Sequence, residues 1–276
     1  TRMAIRWFIA LVLGATACGG AAEDQPPTGW QPLITKQWSL APGTEQTSAI
    51  ELISIDRDIF LSGMRPISPP GTHHTLLARG ATLDSGNIVY ASGVGTNELV
   101  FPPGKGLKLE AGSLVALQLH VFNTTDAPMS GSSGVEVLEV PESEVAEEVD
   151  LFLPGPRDLA IPPQQTSMAS GTCTVRGRQT LFALFPHMHQ LGTHLKTTVT
   201  VGGVPRVIHD ADYQFDEQAF LEIEPLTLDA GDTITSECTW NNTTNDTVTY
   251  GESSTTEMCY SILFRYPAQT EEFCHD

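Results

Sequence analysis

Ala111-Gly-Ser-Leu-Val-Ala-Leu-Gln-Leu-His-Val121 decides the fold class. A turn pair, Ala111-Gly112, is followed by a short apolar run rich in Leu and Val, the grammar of a buried strand. The same grammar recurs in Ala49–Ile55, Asp58–Ser62 and Val135–Val140. It continues in Gln179–Phe185, Leu195–Val201, Asp232–Trp240 and Ser261–Phe264. Pro69-Pro-Gly71, Pro102-Pro-Gly104, Gly202-Gly203 and Ala230-Gly-Asp232 supply the punctuation. Capped helix-period segments are nearly absent; the one candidate, Glu142 to Glu148, is short and acidic. Many short strands with frequent turns predict an all-β chain of sandwich or jelly-roll type.

The chain has 276 residues, a length suited to about two domains. The Pro- and acid-rich stretch from Pro141 to Pro163 predicts their boundary near residue 147, giving domains 31–147 and 148–276. With 14 basic and 33 acidic residues, the surface repels phosphate backbones and argues against a nucleic-acid partner or an electrostatic membrane face. Arg2 and Arg6, the apolar run Trp7–Leu13 and the small residues Ala15-Thr-Ala17 read as a signal peptide over residues 1–17. Residues 18–30 then form a tether. Cys18 is either the acylated first residue of a bacterial lipoprotein or the residue after ordinary cleavage at Ala17. Both readings predict export, to the periplasm or cell envelope of a bacterium, with membrane contact only through a lipid on Cys18. The remaining cysteines, Cys173, Cys238, Cys259 and Cys274, are even in number and read as two disulfides in an oxidising compartment.

The histidines carry the chemistry. His187-Met-His189 ends an apolar strand, and residues i and i+2 of an extended chain share a face, a natural two-point metal clamp. His73-His74 is harder, since adjacent strand residues point to opposite faces; both reach one metal only if the strand bends or different ring nitrogens are used. His120 sits in an apolar strand, as a core histidine or as a third imidazole for the His73-His74 pair. Met258 is either core filler or a thioether ligand, and two imidazoles with a thioether favour copper over zinc.

These segments together resemble the copper type II, ascorbate-dependent monooxygenases, the family of dopamine β-monooxygenase and peptidylglycine α-hydroxylating monooxygenase. Gly71-Thr-His-His-Thr-Leu-Leu77 is similar to its His-His motif, and Leu117-Gln-Leu-His-Val-Phe-Asn123 to its third-His strand. Phe185-Pro-His-Met-His-Gln-Leu-Gly192 resembles its His-x-His motif in the form common among bacterial members. Ser253-Ser-Thr-Thr-Glu-Met-Cys-Tyr260 resembles its Glu-Met-Cys segment. The likeness runs over roughly residues 38 to 274. It implies two tandem antiparallel jelly-roll-type β-sandwich domains separated by a solvent-filled cleft, with a copper on each. His73, His74 and His120 would hold an electron-transfer copper. His187, His189 and Met258 would hold the catalytic, oxygen-binding copper. Disulfides Cys238–Cys259 and Cys173–Cys274 are implied, as is hydroxylation of a C–H bond of a small organic substrate by O₂, with ascorbate or an equivalent electron donor.

Departures from the family narrow that expectation. The peptide-amidating members carry Arg and Tyr where this chain has Phe185 and Ile262, so a peptide carboxylate lacks its partners. The N-terminal domain has no Cys. His194, His209 and His275 match no ligand position. The rival readings are a copper-binding or trafficking lipoprotein without turnover and a purely structural sandwich. A zinc hydrolase is disfavoured, because Met is a poor zinc ligand and no carboxylate follows the His motifs as a general base.

Overall fold

A computed structural model describes residues 29–83, 88–251, 253, 255–269 and 273–274. The signal segment, Cys18, most of the tether and His275 lie outside these residues. Among the described residues there is no α-helix; a single 3₁₀ turn, Glu142–Glu144, occupies the start of the acidic helix candidate. The first regular strand begins at Trp30, the last residue of the expected tether.

Four large sheets account for most of the chain. Sheet I orders Trp30–Leu40, Met129–Val140, Ile59–Ile67, Lys105–Leu109 and Glu147–Glu148, with Leu99–Val100 also on Ile59–Ile67. Sheet II sets Glu45–Thr47 and Glu51–Ser54 on Leu114–Phe122, followed by Thr72–Arg79 and Ile88–Ser92. Sheet III orders Leu221–Leu228, Gln179–Met188, Cys259–Tyr266, Asp150–Pro154 and Phe273–Cys274. Sheet IV orders Gln165–Thr174, Thr233–Asn242, Gly192–Val201 and Val204–Asp212. Pairing is antiparallel except where Glu147–Glu148 meets Lys105 and Gly106 and where Leu153 and Pro154 meet Phe273 and Cys274.

Sheet III is buried on both faces, because side chains alternate across a strand. Leu181, Leu184 and Leu263 pack with Val199 and Ile234 of sheet IV. Phe182, Phe185, Ile262 and Phe264 join Leu61, Leu77, Leu107 and Leu117 of sheets I and II in one continuous core. Phe182 meets Phe101 edge-on at 5.6 Å between ring centroids, an aromatic contact between the two halves of the chain. Arg265, almost wholly buried, fixes three strands of sheet III: it donates to Asp150 Oδ1 at 2.7 Å and to Gln179 Oε1 at 2.9 Å.

The two halves share a turn. Asn123 and Asn242 are fully buried at the ends of corresponding strands. Asn123 Oδ1 accepts from Thr125 N at 3.0 Å, and its amide donates to Ala127 O at 2.8 Å. Asn242 Oδ1 accepts from Thr244 N at 2.9 Å and its amide donates to Asp246 O at 3.0 Å. Both strands are entered through a left-handed glycine, Gly112 or Gly231. The side-chain amide replaces backbone partners that the chain loses as it leaves the sheet.

Loops clamp the halves together beside the site. Asn97 exchanges two bonds with Phe220, donating to its carbonyl at 3.1 Å and accepting from its N–H at 2.7 Å. Gln218 N donates to Val94 O at 3.2 Å. Gly93 lets the Gln218 amide approach closely, since a Cβ there would lie 2.9 Å from it and push it from His187. The expected open cleft is therefore closed at its centre. What remains is a groove of about 750 Å³ lined by both halves, on the side of His73 and Phe215.

Candidate metal centre

Strand Thr72–Arg79 solves the problem of two adjacent histidines with a bulge. Thr72 pairs with Val121, yet His74 pairs with His120, so His73 is an extra residue in the ladder. The bend brings both rings to one side, stacked at 4.3 Å between centroids. His120 faces them from the neighbouring strand, and one ring nitrogen from each of the three lies within 4.8 Å of the others. His73 Nδ1 and His120 Nδ1 are 3.1 Å apart. His120 Nε2 contacts the Glu45 carboxylate, which places the proton on Nε2 and leaves Nδ1 as a lone pair aimed at the cluster. His74 Nε2 is buried without a hydrogen-bond partner, the condition of a nitrogen that a metal would satisfy.

The second set forms at the end of strand Gln179–Met188. Alternation sends Met188 into the core and leaves His187 and His189 on one face, with ring centroids 5.3 Å apart. His187 Nδ1 lies 3.1 Å from Gln218 Oε1. Gln218 Nε2 donates to Phe215 O at 2.9 Å, so the amide oxygen is the end that accepts from His187. His189 Nδ1 donates to Thr256 O at 2.9 Å. Both Nδ1 atoms therefore carry the proton, and both Nε2 atoms keep their lone pairs. Met258 lines the same cavity as His187 and His189.

Glu257 organises this corner. It is fully buried, and it accepts from His189 N at 2.9 Å, Leu191 N at 2.8 Å and Trp240 Nε1 at 2.9 Å. One carboxylate thus ties the His189 loop and sheet IV to the residue preceding Met258. The adjoining Cys259 is bridged to Cys238, and Cys173 to Cys274, the pairings the resemblance implied.

The two sets face each other. His74 lies 6.4 Å from His187 and 6.5 Å from His189 between ring centroids. Phe215 stands edge-on against His73 at 4.7 Å and His74 at 5.2 Å. All six candidate ligands thus converge on one region. His194 and His209 lie apart, on the hairpin Gly192–Val201 and Val204–Asp212, where His194 pairs with Asp210. Sequence reasoning passed over Glu45, Phe215, Gln218, Thr256 and the role of Glu257. Only Glu257 left a signal, as an acid directly before a candidate ligand at the entry to an apolar strand.

Burial disfavours the charged form of His73, His74, His187 and His189. It pushes His187 down to about 3 and His74 well below the ordinary histidine value, with neighbouring imidazoles adding to the effect. His73 and His189 are lowered for the same first reason. Neutral imidazoles need not shed a proton before ligating a metal. In the unfolded chain each titrates near 6.5. Below that value the unfolded state takes up protons that the folded state refuses, so stability present above it is lost as pH falls toward the folded values. The urea midpoint of the copper-free protein is expected to drop steadily between about pH 7 and pH 5. An unchanged midpoint would show these rings protonated in the fold.

Residues 149–276 match the model of the copper type II ascorbate-dependent monooxygenase C-terminal domain. Rat dopamine beta-hydroxylase is 27% identical over 211 residues, covering 68% of this chain and 33% of the relative. Mouse DBH-like monooxygenase protein 1 is 27% identical over 215 residues, covering 68% and 34%. Tyramine beta-hydroxylase of Caenorhabditis briggsae is 30% identical over 130 residues, covering 42% and 22%. Through residues 149–276 the chain carries the C-terminal domain of the copper type II ascorbate-dependent monooxygenase family. It spans about a third of the length of the first two of these relatives.

Proposed function

We propose that this protein is a copper-dependent monooxygenase that hydroxylates a C–H bond of a small organic substrate. The balanced reaction takes substrate R–H, O₂ and two electrons with two protons from ascorbate or an equivalent donor. It gives R–OH, water and the oxidised donor. His73, His74 and His120 would hold one copper, and His187, His189 and Met258 the other. Each half would be a jelly-roll-type antiparallel sandwich, with the division near residue 147. Copper, when bound, supplies one-electron chemistry and oxygen activation, which no side chain present can provide.

The observation that carries this reading is that two ligand sets, one all-imidazole and one with a thioether, face each other, with His74 6.4 Å from His187 and 6.5 Å from His189 between ring centroids. The protein's part is to preset the tautomers: Glu45 fixes His120, Gln218 fixes His187 and the Thr256 carbonyl fixes His189. The thioether of Met258 favours the reduced metal. Phe215 packs edge-on against His73 and His74, and Gln218 ties its carbonyl to His187, so this loop braces both sets. Three relatives named above are called dopamine, tyramine or DBH-like enzymes, which supports small organic molecules as the substrate class. The two disulfides support an exported protein, with the lipid anchor on Cys18 as the proposed attachment.

Elemental analysis of the copper-loaded, desalted chain is expected to find about two copper ions per chain, falling by about one in His120→Ala. Loss of copper at only one set in that variant would support two separate sites. No retained copper in the wild-type chain would overturn the reading.

A further inference from the structure

The cavity beside His187, His189 and Met258 holds about 100 Å³ of free space. Its wall is built of Ile88, Leu153, Phe185, Ile262 and Phe273 with the two tyrosines Tyr250 and Tyr260. Among the described residues no Asp, Glu, Lys or Arg lines it. Apart from the Nε2 atoms of His74, His187 and His189, which are left for a metal, the polar groups of Tyr250, Tyr260, Gln218, His187 and His189 are engaged in hydrogen bonds. Tyr250 and Tyr260 share a hydrogen bond between their hydroxyls at 3.0 Å. Gln218 is spent on His187 and Phe215 O, and His189 Nδ1 on Thr256 O.

Such a wall offers a ligand shape and desolvation but no counter-ion. With copper on the imidazole nitrogens, an ammonium entering it would shed hydration with no acceptor to replace it, and a carboxylate would meet no cationic side chain in the lining. A copper ion held by those imidazoles would make the site still less hospitable to an ammonium. We infer that this cavity selects an uncharged, ring-bearing hydrocarbon or a comparably apolar small molecule, and that it discriminates against amines and carboxylates. The inference rests on the monooxygenase reading for the copper on His187, His189 and Met258 and for what happens to the bound molecule, but not for the binding of a hydrocarbon. It separates this chain from what the names of the dopamine and tyramine relatives would suggest, since both molecules are amines.

The test compares ethylbenzene, phenethylamine and phenylacetate by saturation-transfer NMR on the full chain loaded with copper(I), which is diamagnetic, under argon at pH 7. Ethylbenzene is expected to bind at least ~10-fold more tightly than either charged analogue. Ile262→Asp is expected to weaken ethylbenzene by ~10-fold or more and to narrow the gap to phenethylamine. Should that variant not fold, the ranking in the wild-type chain decides alone. Preference for phenethylamine or phenylacetate, or no binding of ethylbenzene, overturns the inference. Oxygen uptake by the copper-loaded chain with ascorbate then separates the two claims. Ethylbenzene bound but never converted to 1-phenylethanol supports the cavity's selectivity and counts against the monooxygenase reading. Turnover of phenethylamine alone does the reverse.

Discussion

Glu257→Ala is expected to lower the unfolding free energy of the copper-free protein by about 3–5 kcal/mol. The reason is the number of donors left behind. His189 N, Leu191 N and Trp240 Nε1 all end on this carboxylate, two from the loop that joins sheets III and IV and one from sheet IV itself. Trp240 is fully buried, and solvent reaches none of the Glu257 side chain. Deleting the acceptor costs the desolvation of each donor without returning its hydrogen bond. Burial raises the Glu257 pKa, and the donors oppose that shift, so charge and hydrogen bonds are balanced against each other at one point. Glu257→Gln keeps the shape but turns an amide N–H₂ toward groups that are themselves donors, and should cost about 1–3 kcal/mol. Urea unfolding of the three proteins at one pH checks the order. A loss below about 1 kcal/mol in the alanine variant would mean that the loop and sheet IV are held elsewhere. Copper retained at the His187 set should fall with stability, because the same carboxylate sets the spacing between His189 and Met258.

How much of this was legible in the sequence depends on whether a feature is local. The apolar runs with turn pairs located strands such as Leu114–Phe122 and Gln179–Met188, because alternation and burial are written residue by residue. Strands Gln165–Thr174 and Val204–Asp212 left no such mark. Both lie at the edges of sheet IV with Ser, Thr, Asp and Arg facing solvent, so no apolar pattern is required of them. The His-His motif announced a metal and also a geometric difficulty. The bulge that resolves it is a property of the pairing with Val121 and His120, which the sequence of one strand does not contain. The support residues were least visible. Gln218 reaches His187 across 31 positions, and Glu45 reaches His120 from a strand of three polar residues. Their types are ordinary, and only the fold makes them specific. The closure between the two halves of the chain has the same origin: Phe215 and Gln218 sit in a loop that nothing local marks as a bridge.

Met258→Leu should reduce turnover at least ~100-fold while leaving the fold and the copper on His73, His74 and His120 in place. The comparison is clean because the exchange conserves volume and chain shape, and Leu for Met in a packed wall costs less than about 1.5 kcal/mol. Met258 is half-buried, packs against the shared core and lines the cavity with His187 and His189. Leu can do all of that. What Leu cannot do is offer a soft lone pair to a reduced copper, so the variant isolates ligation from packing. The loss of a second-sphere partner already costs a metal site 10–100-fold, and a direct ligand should cost no less. Copper K-edge absorption supplies the independent readout: the reduced wild-type chain is expected to show a sulfur scatterer that the variant lacks. The donors that fix the His187 and His189 tautomers are untouched, so any surviving copper there should be held by two imidazoles and fail to stay reduced. A variant that turned over like the wild type would reduce Met258 to one more apolar residue of the cavity wall, and the His-His-Met assignment would fall with it.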